Sequence, residues 1–145
     1  MQKNQMPNIN QNLISFVEFQ PKPNMVQHNN NPPLIGLKNI GATCYMNSVL
    51  QCLSQIEPLA KYFKNNEHVN NTIIKYKNEK KDCLTESFKI LIDNLWPDNN
   101  HNISNKYYAP YDFKNKISKM NPLFQGVQAN DAKDLVNFII LTLHY

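Results

Sequence analysis

Two of the three glycines in this 145-residue chain, Gly36 and Gly41, stand five residues apart just before an apolar stripe. Beyond them, apolar side chains recur at the spacing of a packed helix face, at Tyr45, Met46, Val49, Leu50 and Leu53. Thr43 belongs to the residue types that cap helix N-termini. The segment therefore predicts a glycine-containing turn that leads directly into a packed helix, with Cys44 at its N-terminus.

A second helix is predicted after Cys83. Its apolar residues lie at helical spacing, at Leu84, Phe88, Leu91, Ile92 and Leu95. Pro97 stops this helix, because proline cannot donate a backbone hydrogen bond and clashes with the preceding turn. The polar stretch at residues 65–81 is interpreted as a connection, and the Asn-rich residues 97–109 are interpreted as a loop.

Two more helices are predicted nearer the C-terminus. Pro110 introduces a short one, whose apolar residues are Phe113, Ile117 and Met120. A turn at Asn121 and Pro122 ends it. Residues 130–145 begin with side chains able to cap a helix and continue as an almost wholly apolar run, which is typical of a buried helix.

Residues 1–33 are interpreted as a disordered Asn/Gln/Pro-rich tail, and residues 34–145 as the folded part. Of the first 33 residues, 18 are Asn, Gln or Pro. Such a composition buries too little apolar surface to offset the entropy of ordering the backbone. Within the tail, residues 13–19 (LISFVEF) alternate in polarity and are compatible with a short strand or docking segment.

The composition also excludes several classes of function. All 15 basic residues are Lys. The chain therefore has no guanidinium group to bind phosphates through paired hydrogen bonds, and nucleic-acid binding is not expected. The three cysteines form no CxxC pair, so neither a disulfide framework nor a metal site is expected. Residues 1–12 lack the apolar core of a signal peptide, and no apolar stretch is long enough to span a membrane. The sequence thus predicts a soluble intracellular protein, cytoplasmic, nuclear or both.

Cys44 and Asn39 are the candidate chemical residues. A nucleophilic cysteine needs a populated thiolate, which the unpaired N–H groups and the dipole of a helix N-terminus favour. Asn39 lies five residues upstream and carries N–H donors suited to a developing oxyanion. The simpler alternatives are that Cys44 is a buried structural cysteine and that Asn39 hydrogen-bonds locally within the turn.

Residues 36–53, GLKNIGATCYMNSVLQCL, resemble the cysteine box of the ubiquitin-specific processing proteases, whose pattern is GLxNxGxTCYMNSxLQxL. The resemblance implies that Cys44 is the nucleophile that attacks the isopeptide or peptide carbonyl after ubiquitin's C-terminal glycine. It also implies that Asn39 helps to form the oxyanion hole. At position 42, which this pattern leaves open, the chain has Ala where many members carry Asn. Another papain-like thiol protease would also place its cysteine at a helix N-terminus, but its local signature differs.

The C-terminal part resembles the glutamine box of the same family, in which an aspartate and a nearby acid open a helix beside ubiquitin's basic tail. Asp131 and Asp134 occupy these two positions. Ala129 and Asn130 replace glutamines found in many members, which implies different contacts with the tail. Asp131 and Asp134 have a simpler alternative role, since acidic residues cap helices and complement their dipole.

The resemblance implies the papain-like cysteine-protease fold, of which this chain would be the mainly α, nucleophile-bearing part of an incomplete catalytic domain. It implies a cysteine-type deubiquitinase that needs no cofactor or metal and whose partners are ubiquitin or ubiquitinated proteins. The family's catalytic histidine and the Asp or Asn that orients it lie further downstream. None of the four histidines matches that box, namely His28, His68, His101 and His144.

The sequence is also compatible with a different function. A catalytically dead ubiquitin-binding or interaction protein could retain both boxes.

Cys52 and Cys83 are interpreted as structural, because Cys52 lies seven residues after Tyr45, on its face, and Cys83 begins an amphipathic helix. The tyrosines near the predicted short helix are interpreted as packing residues, namely Tyr107, Tyr108 and Tyr111.

Overall fold

The computed structural model describes residues 35–97 and 107–143 of the chain. Within these residues the protein is mainly helical, as the sequence predicts. The predicted tail, with its LISFVEF segment, lies outside them. The elements in chain order are β1 (Gly36–Leu37), α1 (Cys44–Ser54), α2 (Glu57–Asn65), α3 (Glu67–Asn78), α4 (Leu84–Leu95), β2 (Tyr107–Tyr108), α5 (Tyr111–Met120), a short 3-10 helix (Pro122–Phe124) and α6 (Ala132–Leu143).

Phe88 of α4 lies within the apolar core that holds these helices together. Its side chain is fully buried, and its ring lies 4.7 Å from that of Phe63 and 6.4 Å from that of Phe113, measured between centroids. These contacts join α4 to α2 and α5, while α1 packs against α2 and α6. Burying one such side chain contributes about 1.5–3 kcal/mol to the free energy of unfolding. Packing of the apolar faces therefore stabilises the assembly.

The two short strands pair in parallel and tie the residues before Asn39 to the rest of the protein. Gly36 is opposite Tyr107, and Leu37 is opposite Tyr108. The backbone N–H of Lys38 donates to the carbonyl oxygen of Tyr108 at 2.8 Å and extends this pairing. The interpretation of residues 97–109 as a loop is therefore wrong at its C-terminal end.

The interpretation of residues 65–81 as a polar connection is also wrong, since most of them form α3. Val69 is buried, and Ile73 packs partly buried against the core. Together with Tyr76, these residues recur at spacings of four and three, which is a helical pattern that the many polar neighbours obscure. Asn66 stabilises the helix start, because its Oδ1 accepts a hydrogen bond from the backbone N–H of His68 at 2.8 Å.

The predicted C-terminal helix is present as α6, but it is buried along one face only. Leu135 and Ile139 are buried, whereas the side chains of Ile140 and Leu141 are 56% and 67% exposed. The described residues cover α6 mainly through α1 and α4. The expectation of a buried helix therefore holds for one face only, because an apolar run alone does not specify how many neighbours surround it.

The remaining helix predictions agree with the structure. The stripe on α1 is buried or partly buried, α4 ends at Leu95 just before Pro97, and α5 follows Pro110 and ends before the turn at Asn121. Across the described ranges, no helix has the length and apolar character needed to cross a membrane.

Candidate active site

Cys44 is the first residue of α1, and its side chain is exposed. The next two side chains, Tyr45 and Met46, are 5% and 0% exposed and fix the start of the helix against the core. The helix thus turns Cys44 outward while the neighbouring residues anchor it. This arrangement excludes the alternative in which Cys44 is a buried structural cysteine.

Thr43 occupies the N-cap position of α1, but its side chain does not cap the helix. Its Oγ1 instead donates to Asn39 Oδ1 at 2.9 Å and accepts from the backbone N–H of Ile40 at 3.2 Å. The expected capping bond is replaced because the chain folds back across a tight turn. Gly41 lies in this turn with φ of +141°, a conformation that favours glycine.

Asn39 is exposed at the entrance to this turn, and its carboxamide oxygen faces Thr43. Oδ1 also accepts from the backbone N–H of Thr43 at 3.3 Å. The local hydrogen bonding considered from the sequence therefore occurs, but it engages only the oxygen. Among the described residues, no hydrogen bond takes up the Asn39 Nδ2 donors, which leaves them able to meet a ligand.

The backbone before Asn39 is anchored to α1 by two amide side chains. Asn47 Nδ2 donates to the carbonyl oxygens of Leu37 at 3.3 Å and Lys38 at 3.1 Å. Gln51 Nε2 donates to the carbonyl oxygen of Ile35 at 3.1 Å. Because the same helix begins with Cys44, these bonds fix the backbone near Asn39 relative to the thiol. Periodicity alone did not single out Asn47 or Gln51.

Asp131 and Asp134 are both exposed at the start of α6. Asp131 Oδ1 accepts from the backbone N–H of Lys133 at 2.8 Å, so this residue does fill the capping role considered from the sequence. Asp134 lies in the first turn, where a negative charge complements the helix dipole. Within the described part of the chain, neither carboxylate forms an ion pair.

Asn130 connects the segment before α6 to the start of α1. Its Nδ2 donates to the hydroxyl oxygen of Tyr45 at 3.3 Å, across 85 positions of sequence. Tyr45 also stacks on Phe124 with ring centroids 6.4 Å apart. The structure therefore links the residue following Cys44 to the residue preceding Asp131. No sequence pattern predicts this link, because it depends on contacts between distant elements.

The other two thiols differ from each other in exposure. Cys83 is buried, as expected for a structural cysteine, whereas Cys52 is exposed. The placement of Cys52 with the packed residue Tyr45 is therefore wrong. Phe124 and Asn130 cover Tyr45, but Cys52 lies about two turns further along, where that face is open.

The site contains no evident place for a metal ion. Within residues 35–97 and 107–143, no group of three or more His, Cys, Asp or Glu side chains is arranged to hold one.

A family model described as ubiquitin carboxyl-terminal hydrolase matches residues 35–145 of the chain. The chain belongs to the ubiquitin carboxyl-terminal hydrolase family. Ubiquitin carboxyl-terminal hydrolase 15 of Xenopus tropicalis is 33% identical over 118 residues, and that of Homo sapiens is 33% identical over 120 residues, each match covering 81% of this chain. Ubiquitin carboxyl-terminal hydrolase 4 of Mus musculus is 35% identical over 113 residues, or 78% of this chain. The matches span 12% of the first two relatives and 11% of the third.

Of the four histidines, the structure describes His68 alone, which is exposed in α3 rather than in the predicted polar connection. His28, His101 and His144 lie outside the described residues. The described residues thus supply a thiol and a carboxamide donor, and we assign none of them as the general base.

Proposed function

We propose that this chain carries the nucleophile of a cysteine-type deubiquitinase, which hydrolyses isopeptide or peptide bonds after the C-terminal glycine of ubiquitin. The observation that carries the proposal is the exposed thiol of Cys44 at the start of α1. Membership of the ubiquitin carboxyl-terminal hydrolase family supports it. The partners in this proposal are ubiquitin or ubiquitinated proteins, encountered in the cytoplasm, the nucleus or both.

In the proposed reaction, the Cys44 thiolate attacks the carbonyl carbon of ubiquitin's C-terminal glycine. A C–S bond forms, and the carbonyl electron pair moves onto oxygen, where the Asn39 Nδ2 donors stabilise the negative charge. Collapse of this intermediate expels the amine, which takes up a proton, and leaves a thioester. Water then hydrolyses the thioester to release ubiquitin and the thiol.

The two aspartates at the start of α6 are proposed to contact ubiquitin's basic tail. Asp131 and Asp134 are exposed and free of internal ion pairs among the described residues, so a cationic peptide could approach both. Asp131 also holds the backbone N–H of Lys133 through one oxygen, Oδ1. A carboxylate has further lone pairs, so capping the helix and binding a cation are compatible.

The 145-residue chain by itself is proposed to have no useful turnover. The nucleophile and the oxyanion donor need a general base to take and return protons, and losing one member of such a triad typically lowers the rate by several orders of magnitude. In this proposal the histidine and its orienting Asp or Asn belong to a downstream segment. That segment would also help to position ubiquitin's tail.

The test compares the 145-residue chain with a version extended into any downstream histidine segment, using a fluorogenic ubiquitin C-terminal amide as substrate. We expect the extended version to cleave and its Cys44→Ala variant to be inactive. Robust Cys44-dependent turnover by the short chain would contradict the need for a downstream base. An extended version that binds ubiquitin without cleaving the substrate would support the alternative of a catalytically dead ubiquitin-binding protein.

A further inference from the structure

We propose that Thr43 is a positioning residue that holds the Asn39 carboxamide with its N–H donors toward the oxyanion formed at Cys44. This inference rests on the proposed function, in which Asn39 stabilises that oxyanion. Thr43 immediately precedes the nucleophile and is 3% exposed, while its side chain has no capping bond to the helix. Its hydroxyl is thus committed to the turn that carries Asn39.

The hydrogen bonds at Thr43 have a fixed direction. The Thr43 hydroxyl oxygen accepts from the backbone N–H of Ile40 at 3.2 Å, and its proton is donated to Asn39 Oδ1 at 2.9 Å. The backbone N–H of Thr43 is a second donor to the same Oδ1, at 3.3 Å. Two donors of one residue therefore meet at one carboxamide oxygen.

The backbone N–H of Thr43, which can only donate, selects one of the two orientations of the carboxamide, and the 2.9 Å bond from the hydroxyl holds the oxygen there. Rotation by half a turn would replace Oδ1 of Asn39 by its N–H2 group, so that donors would face the backbone N–H of Thr43. An N–H group left without an acceptor loses a hydrogen bond that it makes in the observed orientation. The observed orientation leaves both Nδ2 protons for a ligand.

A separate set of bonds holds the backbone of this turn. Lys38 pairs with Tyr108 through its backbone N–H, and Asn47 Nδ2 donates to the carbonyl oxygens of Leu37 and Lys38. Removal of the Thr43 hydroxyl breaks the 2.9 Å bond to Asn39 Oδ1 and the bond from the backbone N–H of Ile40, and leaves only the 3.3 Å backbone donor of Thr43 at this oxygen. We therefore expect the Asn39 side chain to loosen while the bonds of Lys38 and Asn47 keep the backbone path in place. This separation distinguishes positioning of a side chain from general support of the fold.

The test uses a peptide aldehyde that ends in glycinal and the 145-residue chain. The Cys44 thiol adds to the aldehyde carbonyl: a C–S bond forms, the carbonyl π bond breaks, and the thiol proton ends on oxygen. The resulting hemithioacetal places an oxygen where the oxyanion would lie. Its dissociation constant is measured from the protection of Cys44 against iodoacetamide, with the modified peptide quantified by mass spectrometry.

Four variants are compared with the parent chain. We expect Asn39→Ala and Thr43→Val each to weaken the aldehyde complex about tenfold, which corresponds to about 1.4 kcal/mol. Thr43→Ser retains the hydroxyl and should stay within about twofold of the parent. Asn39→Asp still accepts from Thr43 but offers no donor, and should lose affinity like Asn39→Ala. The iodoacetamide rate without aldehyde should stay within about twofold of the parent in Thr43→Val and Thr43→Ser, since that reaction forms no oxyanion.

The outcomes separate the two proposals. If Asn39→Ala weakens the complex and Thr43→Val does not, Thr43 has no positioning role while the oxyanion role of Asn39 stands. If the parent and Asn39→Ala have equal affinity, the oxyanion role is wrong and the inference falls with it. If Thr43→Val does not fold, as judged by circular dichroism, Thr43→Ala takes its place with the same expected loss.

Discussion

Tyr45 and Asn130 lie 85 positions apart in the sequence, yet Asn130 Nδ2 donates to the Tyr45 hydroxyl at 3.3 Å. Tyr45→Phe removes the acceptor but keeps the buried ring stacked near Phe124. We expect Tyr45→Phe and Asn130→Ala each to lower the free energy of unfolding by about 1 kcal/mol in urea denaturation. The double variant should lose less than the sum of the two, because both remove the same bond. Strictly additive losses would show that the bond does not contribute to stability.

The start of α3 depends on Asn66, whose Oδ1 accepts from the backbone N–H of His68 at 2.8 Å. Asn66→Ala should lower the free energy of unfolding by about 1 kcal/mol, since an N-terminal donor then loses its partner. Asn71→Ala is the matched control, because Asn71 is exposed within the same helix and Ala has the higher helix propensity. Equal losses for the two variants in chemical denaturation would contradict the capping role.

Substitution by Lys should affect stability very differently at Ile139 and Leu141, which lie two positions apart on α6. Leu141 is 67% exposed, whereas Ile139 is 1% exposed. Leu141→Lys should change the free energy of unfolding by no more than about 0.5 kcal/mol. Ile139→Lys should prevent stable folding, because it buries an unpaired ammonium group. Thermal unfolding followed by circular dichroism distinguishes them, and a large loss from Leu141→Lys would mean that this face is covered.

Titration of the Tyr108 phenol should lower the free energy of unfolding at alkaline pH. Burial raises the pKa of its phenol above the ordinary value of 10.0, and the nearby Asp112 carboxylate raises it further. The folded state therefore holds this proton more tightly than the unfolded state. The contribution of this pKa shift to the free energy of unfolding is fully present below pH about 10, and it is lost as the pH rises through the folded-state pKa.

Tyr108→Phe removes this proton linkage while keeping the ring. Urea midpoints measured between about pH 9 and 11 should fall less steeply for Tyr108→Phe than for the parent chain. Tyr62→Phe is the control, because Tyr62 is also a tyrosine but is 42% exposed. Identical slopes for the parent and Tyr108→Phe would contradict a tighter proton in the folded state.

The sequence predicted the helices whose apolar residues form a clear stripe, and it placed Cys44 at the start of one of them. It failed for α3, where Val69 and Ile73 supply the buried face among many polar residues. Cys52 was assigned to a packed face because helical periodicity gives the direction of a side chain but not how far its neighbours extend. The exposed side of α6 was missed for the same reason.

Within the candidate site, residue types and spacing identified Asn39 and Cys44, but the hydrogen-bond directions required coordinates. Thr43 was expected to cap the helix, and instead it bonds to Asn39 across a glycine turn. A threonine hydroxyl can bond either to the backbone of the helix that follows or to a residue earlier in the chain. Both roles therefore have the same sequence signature. The choice between them depends on the path of the backbone.

Comparison of Cys44 with Cys52 tests whether Cys44 is a nucleophile. Both thiols are exposed and lie on α1, but Cys44 alone is at the helix start, whereas Cys83 is buried. Iodoacetamide labelling of the folded chain near neutral pH, followed by peptide mass spectrometry, gives the rate at each residue.

We predict that Cys44 reacts about tenfold faster than Cys52, because Cys44 lies beside the unpaired N–H groups of the helix start and exposure admits the reagent to both. Cys83 should react more slowly than either. The three rates should become similar in urea, where the helix and the core are lost. Labelling of Cys52 or Cys83 as fast as Cys44 in the folded protein would contradict the claim.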